Sequence, residues 1–162
     1  MIVPLTPLMF LRRTAKLYPH KLAVVCGENR FSYSQFNQRI QQLSWSLKNL
    51  GVNSGMVIAY LSRNCHRLLE GYYGVIQTGA ILLPINVRLT QTDLLYILNH
   101  SNANVLFLQK EFLPVIEKIL EKLKSIKHFI ILNDTPKKTW LRPFNYEQQL
   151  RNSINDPFPD QL

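Results

Sequence analysis

The residue types that could support catalysis or hold a metal ion are few and scattered. The two cysteines, Cys26 and Cys65, are too few for a disulfide framework and lack the spacing of a zinc site. Cys65 and His66 are adjacent, so their side chains point apart on a helix, and no histidine has a partner at i, i+4 suited to a metal. The four histidines are His20, His66, His100 and His128. The sequence therefore predicts no metal-binding residue.

Two glycine patterns resemble functional motifs but lack the residues that react. Gly74 and Gly79 have the spacing of the first and second glycines of a P-loop, but alanine and isoleucine stand where lysine and serine or threonine would follow. Residues 51–55 resemble a nucleophile elbow, but Ser54 comes one place too late and the segment follows a predicted helix. We predict packing glycines and a turn, and no catalytic or cofactor-binding residue.

Other polar and aromatic candidates favour structural roles. Glu70 and Asp93 could be buried acids, but surface and helix-cap positions are the more common interpretation. Tyr72 and Tyr73 could stack on an adenine base, although an aromatic pair at this spacing is more typical of a core or an interface. These side chains alone indicate no reaction.

Apolar periodicity predicts strands that alternate with helices, which is typical of an α/β fold with a mostly parallel sheet and helices over its faces. The predicted strands cover 22–26, 30–33, 56–61, 81–85, 104–108 and 129–132. The predicted helices cover 7–17, 33–49 or 35–49, 65–77, 91–99, 112–123 and 146–150; Thr6 is the candidate cap of the first, Ser32 or Ser34 that of the second, and Thr90 begins the fourth. The strands at 57–61, 81–85 and 129–132 are expected to be buried on both faces. The long second helix has its apolar face on Phe36, Ile40, Leu43 and Leu47.

Length and composition indicate one globular domain. The chain has 162 residues, of which 46% are hydrophobic and 18% charged, which excludes a disordered or collagen-like protein. The net charge is +9, and residues 1–50 carry seven basic residues and one acidic residue. A module that binds lipid surfaces or nucleic acid is one alternative, although a basic surface without a nucleic-acid partner is the expectation. The residues of such a binding module would be Arg12, Arg13, Lys16, Lys137 and Lys138.

No targeting or membrane segment is evident in the sequence. Arg12 and Arg13 follow the first apolar run instead of preceding it, and Pro4 and Pro7 interrupt that run. The uncharged stretch 71–87 is marginal for a bilayer span. Together with two cysteines, this predicts a cytoplasmic protein.

Five segments, in order, resemble the amino-terminal part of AMP-forming acyl-CoA synthetases, the adenylate-forming superfamily. They are FSYSQF at 31–36, GMVIA at 55–59, NCHRLLE at 64–70, QTGAILLPINVRL at 77–89 and LNHSNANVLF at 98–107. Asn86 favours acyl-CoA synthetases over peptide-synthetase adenylation domains, which more often have Asp there. Gln35, Met56 and Arg63 depart from the family pattern at surface or turn positions.

Five residues match the family's motifs, and their expected roles are structural: turn, helix end, strand end and ion pair. They are Asn64, Gly79, Pro84, Asn86 and Arg88. The resemblance implies a layered N-terminal subdomain over residues 1–152, followed at 153–162 by a linker that leads to the family's ATP-binding loop. That loop and the family's catalytic lysine have no counterpart in the sequence.

The resemblance also implies a reaction. A carboxylic acid, by expectation a fatty acid, reacts with ATP to give an acyl-adenylate and pyrophosphate, and the thiol of CoA then displaces AMP. The family uses ATP, Mg²⁺ and CoA, but we expect this chain alone to bind none of them and to be an inactive fragment. Its expected partner is the remainder of the synthetase or a full-length homologue, with self-association through an exposed apolar face. A non-catalytic interaction module is the remaining alternative.

Overall fold

The computed structural model describes residues 6–133, 141, 143–154 and 156–159. Seven strands and six α-helices alternate through these residues. The strands are β1 (Leu22–Cys26), β2 (Asn29–Ser32), β3 (Val57–Leu61), β4 (Ile81–Ile85), β5 (Ala103–Leu108), β6 (His128–Ile131) and β7 (Phe144–Asn145). The helices are α1 (Pro7–Leu17), α2 (Tyr33–Asn49), α3 (His66–Gln77), α4 (Gln91–His100), α5 (Leu113–Glu117) and α6 (Tyr146–Arg151). The predicted α/β class is confirmed.

Five strands form a parallel sheet in the order β4-β3-β5-β6-β7, and β1 and β2 form a separate antiparallel hairpin. Leu61 at the end of β3 pairs with Ile85 of β4 on one side and with Leu108 of β5 on the other. After β3 the chain passes through α3 and adds β4 on one side of β3. It then crosses back and adds β5, β6 and β7 in succession on the other side of β3. This reversal of strand order lies between β3 and β5, where open α/β sheets bind ligands at the carboxyl ends of their strands.

Side-chain caps start the helices where the sequence predicts. The Thr6 hydroxyl accepts a hydrogen bond from the Met9 amide, and Pro7 follows as the first residue of α1. Ser32 and Gln35 form a capping box at α2, and Thr90 and Asp93 form another at α4. The helix-cap role predicted for Asp93 is thereby confirmed. Among the described helices, none is both long and apolar enough to cross a membrane.

Each face of the sheet packs against its own set of helices, because successive side chains of a strand point to opposite faces. Ile58 and Tyr60 of β3 point toward α2, α3 and α6, whereas Ala59 and Leu61 point toward α4 and α5. The Tyr60 ring stacks on that of Phe107, with 4.4 Å between centroids. Both faces of the central strands are thus covered.

The close approach of α2 and α3 depends on a glycine. A Cβ atom at Gly74 would lie 2.8 Å from Cδ2 of Leu43, closer than side-chain carbons pack. The packing role predicted for Gly74 is confirmed. The predicted apolar face of α2 is also confirmed: Phe36, Ile40, Leu43 and Leu47 are all buried.

Two predictions about local structure are wrong. Strand β4 is an edge strand and is not buried on both faces, since Ile81 is 54% exposed; strand order is not visible in an apolar run. The helix predicted over 112–123 is not continuous. It consists of the short helix α5, with a 3₁₀ turn before it at 110–112 and another after it at 120–122. After α5 the amides of Ile119, Lys122 and Leu123 each donate to the carbonyl oxygen three residues earlier, which is the 3₁₀ pattern of hydrogen bonds.

Part of the segment predicted as a linker packs on α2. The ring of Phe158 lies 4.9 Å from that of Trp45, whose indole Nε1 donates to the carbonyl oxygen of Asp156 over 2.8 Å. The Phe158 amide donates to Oε1 of Gln41, also over 2.8 Å. The segment therefore leaves the domain along α2, and its continuation into an ATP-binding loop stays a prediction.

Truncating the buried face of α2 is expected to destabilise the domain. Leu43→Ala should lower the free energy of unfolding by about 2–5 kcal/mol, because it removes a fully buried side chain and leaves a cavity beside Gly74. Gln38→Ala, on the exposed face of the same helix, should change it by less than about 0.5 kcal/mol. Chemical denaturation measures both, and equal small effects would mean that this face is misassigned.

Candidate functional site

A cavity of about 680 Å³ opens at the carboxyl ends of β3 and β4, beside the reversal of strand order. Its walls come from the loop after β3, the loop after β4 and the 3₁₀ turn after β5. The polar lining residues are Ser62, Arg63, Asn64, Asn86 and Arg88, and the apolar ones include Leu68, Tyr72, Pro84 and Phe112. The cavity thus lies at the carboxyl edge of the sheet, next to the position between β3 and β5 at which the topology places a ligand.

Gln109 fixes the loop that follows β3. Its side-chain Oε1 accepts a hydrogen bond from the backbone amide of Arg63 over 2.9 Å. The backbone amide of Gln109 donates to the carbonyl oxygen of Leu61 over 3.2 Å. The Ser62 hydroxyl donates to the Arg63 carbonyl oxygen over 2.7 Å. The backbone of the loop is thus held, while the side chain of Arg63 stays exposed to solvent.

Four of the five residues that match the family's motifs meet at this cavity. Asn64, Pro84, Asn86 and Arg88 line it, whereas Gly79 lies at the other end of the sheet, where α3 ends, with a φ of +78°. Asn86 lies in the turn that follows β4, where its Oδ1 accepts a hydrogen bond from the Arg88 amide over 3.0 Å. Pro84 lies in the edge strand, where its missing N–H costs no sheet hydrogen bond.

The ion pair predicted for Arg88 is wrong. Within the described part of the chain, neither Arg88 nor Arg63 has a carboxylate within 4.0 Å. Both guanidinium groups are exposed at the cavity, and none of the described residues that line it is acidic. The cavity therefore presents positive charge next to an apolar wall.

Behind the cavity, a buried carboxylate joins three helices. Glu70 of α3 has no exposed side-chain surface, so the surface position predicted for it is wrong. Arg39 of α2 donates to both oxygens of Glu70, from Nε over 2.6 Å and from Nη2 over 3.2 Å. The hydroxyl of Tyr146 in α6 donates to Oε2 over 2.5 Å. A buried charge is stable only with such partners.

Glu147 extends this group of charges toward the surface. It accepts from Nη1 and Nη2 of Arg39, each over 2.9 Å, and from Nε of Arg67 over 2.8 Å. We name Arg39, Arg67, Glu70, Tyr146 and Glu147 the charge cluster. Its two arginines and two glutamates carry equal and opposite charge. Within it, Arg39 is paired with Glu70 on one side and with Glu147 on the other.

The environment shifts the pKa values of this region in opposite directions. Burial raises the pKa of Glu70, and the hydrogen bonds from Arg39 and Tyr146 offset that only in part. Burial also acts on Glu147, but the bonds from Arg39 and Arg67 outweigh it and hold its pKa below the ordinary value. Burial, together with the charges of Arg67 and Arg39, lowers the pKa of His66 to about 4.

Comparison with known proteins decides the family. The model of the family described as "AMP-binding enzyme" matches residues 11–161. The chain belongs to this family.

Its relatives among AMP-binding enzymes are acid–CoA ligases. It is 32% identical to a peroxisomal butyrate–CoA ligase of Arabidopsis thaliana, over 96% of this chain and 28% of the ligase. It is 36% identical to a long-chain-fatty-acid–CoA ligase of Thermus thermophilus over 145 residues, which are 87% of this chain and 26% of that ligase. The chain thus spans less than a third of these relatives, and the resemblance predicted from five segments is confirmed.

The fold agrees with solved structures of the same kind. The crystal structure of an anthranilate CoA ligase in complex with anthranoyl-AMP superposes with a TM-score of 0.91 at 24% identity, over 99% of this chain and 30% of that chain. A likeness at this identity establishes the fold of the AMP-binding chain as that of the N-terminal subdomain of CoA ligases.

Sequence reasoning missed the charge cluster, although one signal was present. Arg39 lies three residues after Phe36 and four before Leu43, which places it on the buried face of α2. A charge on such a face requires a buried partner of opposite sign. The identity of that partner, Glu70, depends on the packing of α2 against α3.

The remaining candidates do not form a second site. Tyr73 packs edge-on against Phe36 in the core, with 5.8 Å between ring centroids, whereas Tyr72 is exposed beside the cavity. Arg12, Arg13 and Lys16 lie on α1, while Lys137 and Lys138 lie outside the described residues. No group of three or more His, Cys, Asp or Glu in the described part of the chain could hold a metal.

Removing the Glu147 carboxylate is expected to destabilise the domain in a pH-dependent way. Glu147→Gln should lower the free energy of unfolding near neutral pH by about 1–3 kcal/mol, because Arg39 and Arg67 lose charged acceptors. The pKa of Glu147 is lower in the folded state than its ordinary value of 4.5, so its stabilisation is present above that pH and is lost as the pH falls below it.

Denaturation of both proteins between about pH 7 and about pH 3 measures this effect, and the difference should shrink toward acid. Glu28→Gln, in the exposed turn of the hairpin, is the matched control and should change little. A difference that stays constant with pH would contradict the assigned role of Glu147.

Proposed function

We propose that this chain serves as the N-terminal portion of an AMP-forming acid–CoA ligase and that its cavity at the sheet edge receives an anionic group of a reactant. The observation that carries the proposal is the pair Arg63 and Arg88. Within the described residues both guanidinium groups lack a carboxylate partner, and both border the same cavity. Membership of the family supplies the reaction to which such a cavity contributes.

The donors around the cavity fit an anion and not a divalent cation. Two guanidinium groups and two side-chain amides line it, and these can donate hydrogen bonds to phosphate or carboxylate oxygens. Mg²⁺ prefers carboxylate oxygens and water, and the described residues that line the cavity include no carboxylate. ATP, CoA and the acid substrate all carry anionic groups, so the cavity suits a phosphate or carboxylate of one of these reactants.

The apolar wall adds a second requirement. Leu68, Tyr72 and Phe112 also line the cavity and provide its apolar surface. A ligand that places its anionic group between the arginines can lay an aromatic ring or an alkyl segment against this wall. Free phosphate would use only half of the surface, whereas a nucleotide or an aliphatic acid would use both halves.

The reaction itself is assigned to other parts of the ligase. In the family, a carboxylate and ATP give an acyl-adenylate and pyrophosphate, and CoA thiol then displaces AMP. The sequence contains neither the phosphate-binding loop nor the catalytic lysine of that reaction. Residues 1–162 therefore orient and bind, and we assign no catalytic residue among them. The acid substrate is a fatty acid or a related carboxylic acid.

The proposed partner is a further part of the ligase, seated on the apolar surface of α3. Leu69, Tyr72 and Ile76 recur on one side of α3 and are each more than a third exposed, and Ile81 of the edge strand β4 is 54% exposed. A soluble protein seldom leaves such a surface uncovered. Self-association through this surface is the proposed behaviour of residues 1–162 alone. The cytoplasmic setting also stays a prediction, because one of the relatives above is named peroxisomal.

Titration with inorganic pyrophosphate tests the anion site. Backbone amide NMR shifts should change at residues 62–64 and 86–88, with saturation. Arg63→Gln or Arg88→Gln should weaken binding about two- to fivefold, as expected for exposed ion pairs of about 0.5–1 kcal/mol. Arg30→Gln, an exposed arginine of the hairpin, is the control and should bind as the unaltered chain does. Shifts spread over all basic surfaces, or an equal loss in the control, would sink the proposed site.

A further inference from the structure

The exit segment, which we define as residues 156–159, is held on α2 by one buried side chain. Phe158 is only 4% exposed, and residues 156–159 belong to no helix or strand. Neither Phe158 nor Trp45 of α2, against which it packs, belongs to the apolar clusters of the described core. The other described residues between 154 and 159 are exposed; they are Ile154, Asp156, Pro157 and Pro159. The contact therefore places the segment and is not part of the packing between the sheet and its helices.

Two side chains one turn apart on α2 receive the exit segment. The Trp45 ring meets that of Phe158 edge-on, and its indole Nε1 donates to the carbonyl oxygen of Asp156 over 2.8 Å. Oε1 of Gln41 accepts a hydrogen bond from the Phe158 amide, also over 2.8 Å. Because residues four apart lie on the same face of a helix, the three contacts act together. They fix both the position and the direction of the backbone at Phe158.

Gln41 is itself held from the interior of the domain. Its Oε1 also accepts from Nε2 of Gln77 in α3 over 3.2 Å, and only 1% of Gln77 is exposed. Oε1 of Gln77 in turn accepts from the Ser44 hydroxyl over 3.1 Å. A carbonyl oxygen has two lone pairs, and Gln77 and Phe158 use both of those on Gln41. The packing of α2 against α3 thus sets the position of the acceptor that Phe158 binds.

The sequence makes the exit segment stiff. Proline fixes its own φ and restricts the residue before it to extended conformations. Pro157 follows Asp156 and Pro159 follows Phe158, so these restrictions apply to four successive residues. A stiff segment passes the direction that it has at Phe158 on to the residues that follow, which a flexible loop does not do.

We propose that Trp45, Gln41 and Phe158 are positioning residues of the ligase, which fix where the part of the ligase that follows residues 1–162 begins relative to this subdomain. The inference rests on the proposed function, since the chain spans less than a third of its relatives. None of the three side chains needs to touch a reactant. They act by holding the exit segment on α2.

Two insertions test the proposal in a chimaera of residues 1–162 with the remainder of the 4-hydroxybutyrate–CoA ligase 2 of Metallosphaera sedula. A Gly-Ser pair between Asp160 and Gln161 should lower kcat of carboxylate-dependent ATP–pyrophosphate exchange about tenfold or more, because it displaces the following part from the fixed segment. The same pair between Ile154 and Asn155, ahead of the exit segment, should leave kcat within about twofold, because Phe158 still binds α2.

A matched pair of substitutions tests the contact itself. Phe158→Ala should lower kcat per folded molecule of the chimaera about fivefold or more, whereas Ile154→Ala, at an exposed position of the same stretch, should leave it within about twofold. In residues 1–162 alone, Phe158→Ala should also speed hydrogen exchange of the Trp45 indole N–H about tenfold, because its bond to Asp156 opens. A side chain needed only for folding would change the folded fraction, which circular dichroism measures, and not kcat per folded molecule.

Two results would overturn the proposal. The first is equal exchange by the two insertion variants, and the second is a Phe158→Ala chimaera that exchanges within about twofold of the unaltered chimaera. The unaltered chimaera checks the proposed function separately. If it folds but shows no exchange, the proposed function fails, and this inference fails with it.

Discussion

The buried carboxylate of Glu70 is the constraint on which the arrangement of the helices depends. Removing a carboxylate from water costs several kcal/mol, which only well-placed partners can offset. Arg39 from α2 and Tyr146 from α6 supply them, and Glu147 holds the other side of Arg39. Such a group adds little net stability, but the loss of one partner is costly, so it admits a single relative placement of α2, α3 and α6. The small contact at Gly74, where Leu43 of α2 fits against α3, requires the same placement.

This placement bears on the cavity at the sheet edge. The loop that carries Arg63 and Asn64 leads directly into α3, so the position of α3 sets the position of that loop. Gln109 holds the same loop from the β5 side through its contacts with Arg63 and Leu61. The interior of the domain thus determines where Arg63 and Arg88 face the cavity, and no catalytic side chain is needed for that task. A subdomain built in this way agrees with membership of the AMP-binding family.

Features encoded by neighbours along the chain could be predicted from the sequence, and features that depend on distant neighbours could not. Caps at Thr6, Ser32 and Thr90 and the apolar face of α2 follow from local spacing and agree with the structure. The burial of Glu70 depends on Arg39, 31 residues earlier, and on Tyr146, 76 residues later. The edge position of β4 depends on strand order, which an apolar run does not reveal. Four of the five motif residues do meet at one cavity, but only the structure shows that Arg88 has no carboxylate partner there within the described residues.

The most direct test of the central claim is carboxylate-dependent ATP–pyrophosphate exchange. Residues 1–162 should be assayed alone and also in place of the matching N-terminal part of the 4-hydroxybutyrate–CoA ligase 2 of Metallosphaera sedula. That ligase is 31% identical over 96% of this chain and 29% of its own length. The account predicts no exchange by residues 1–162 alone and restored exchange in the chimaera. Clear turnover by the isolated residues, or a folded chimaera without exchange, would contradict it.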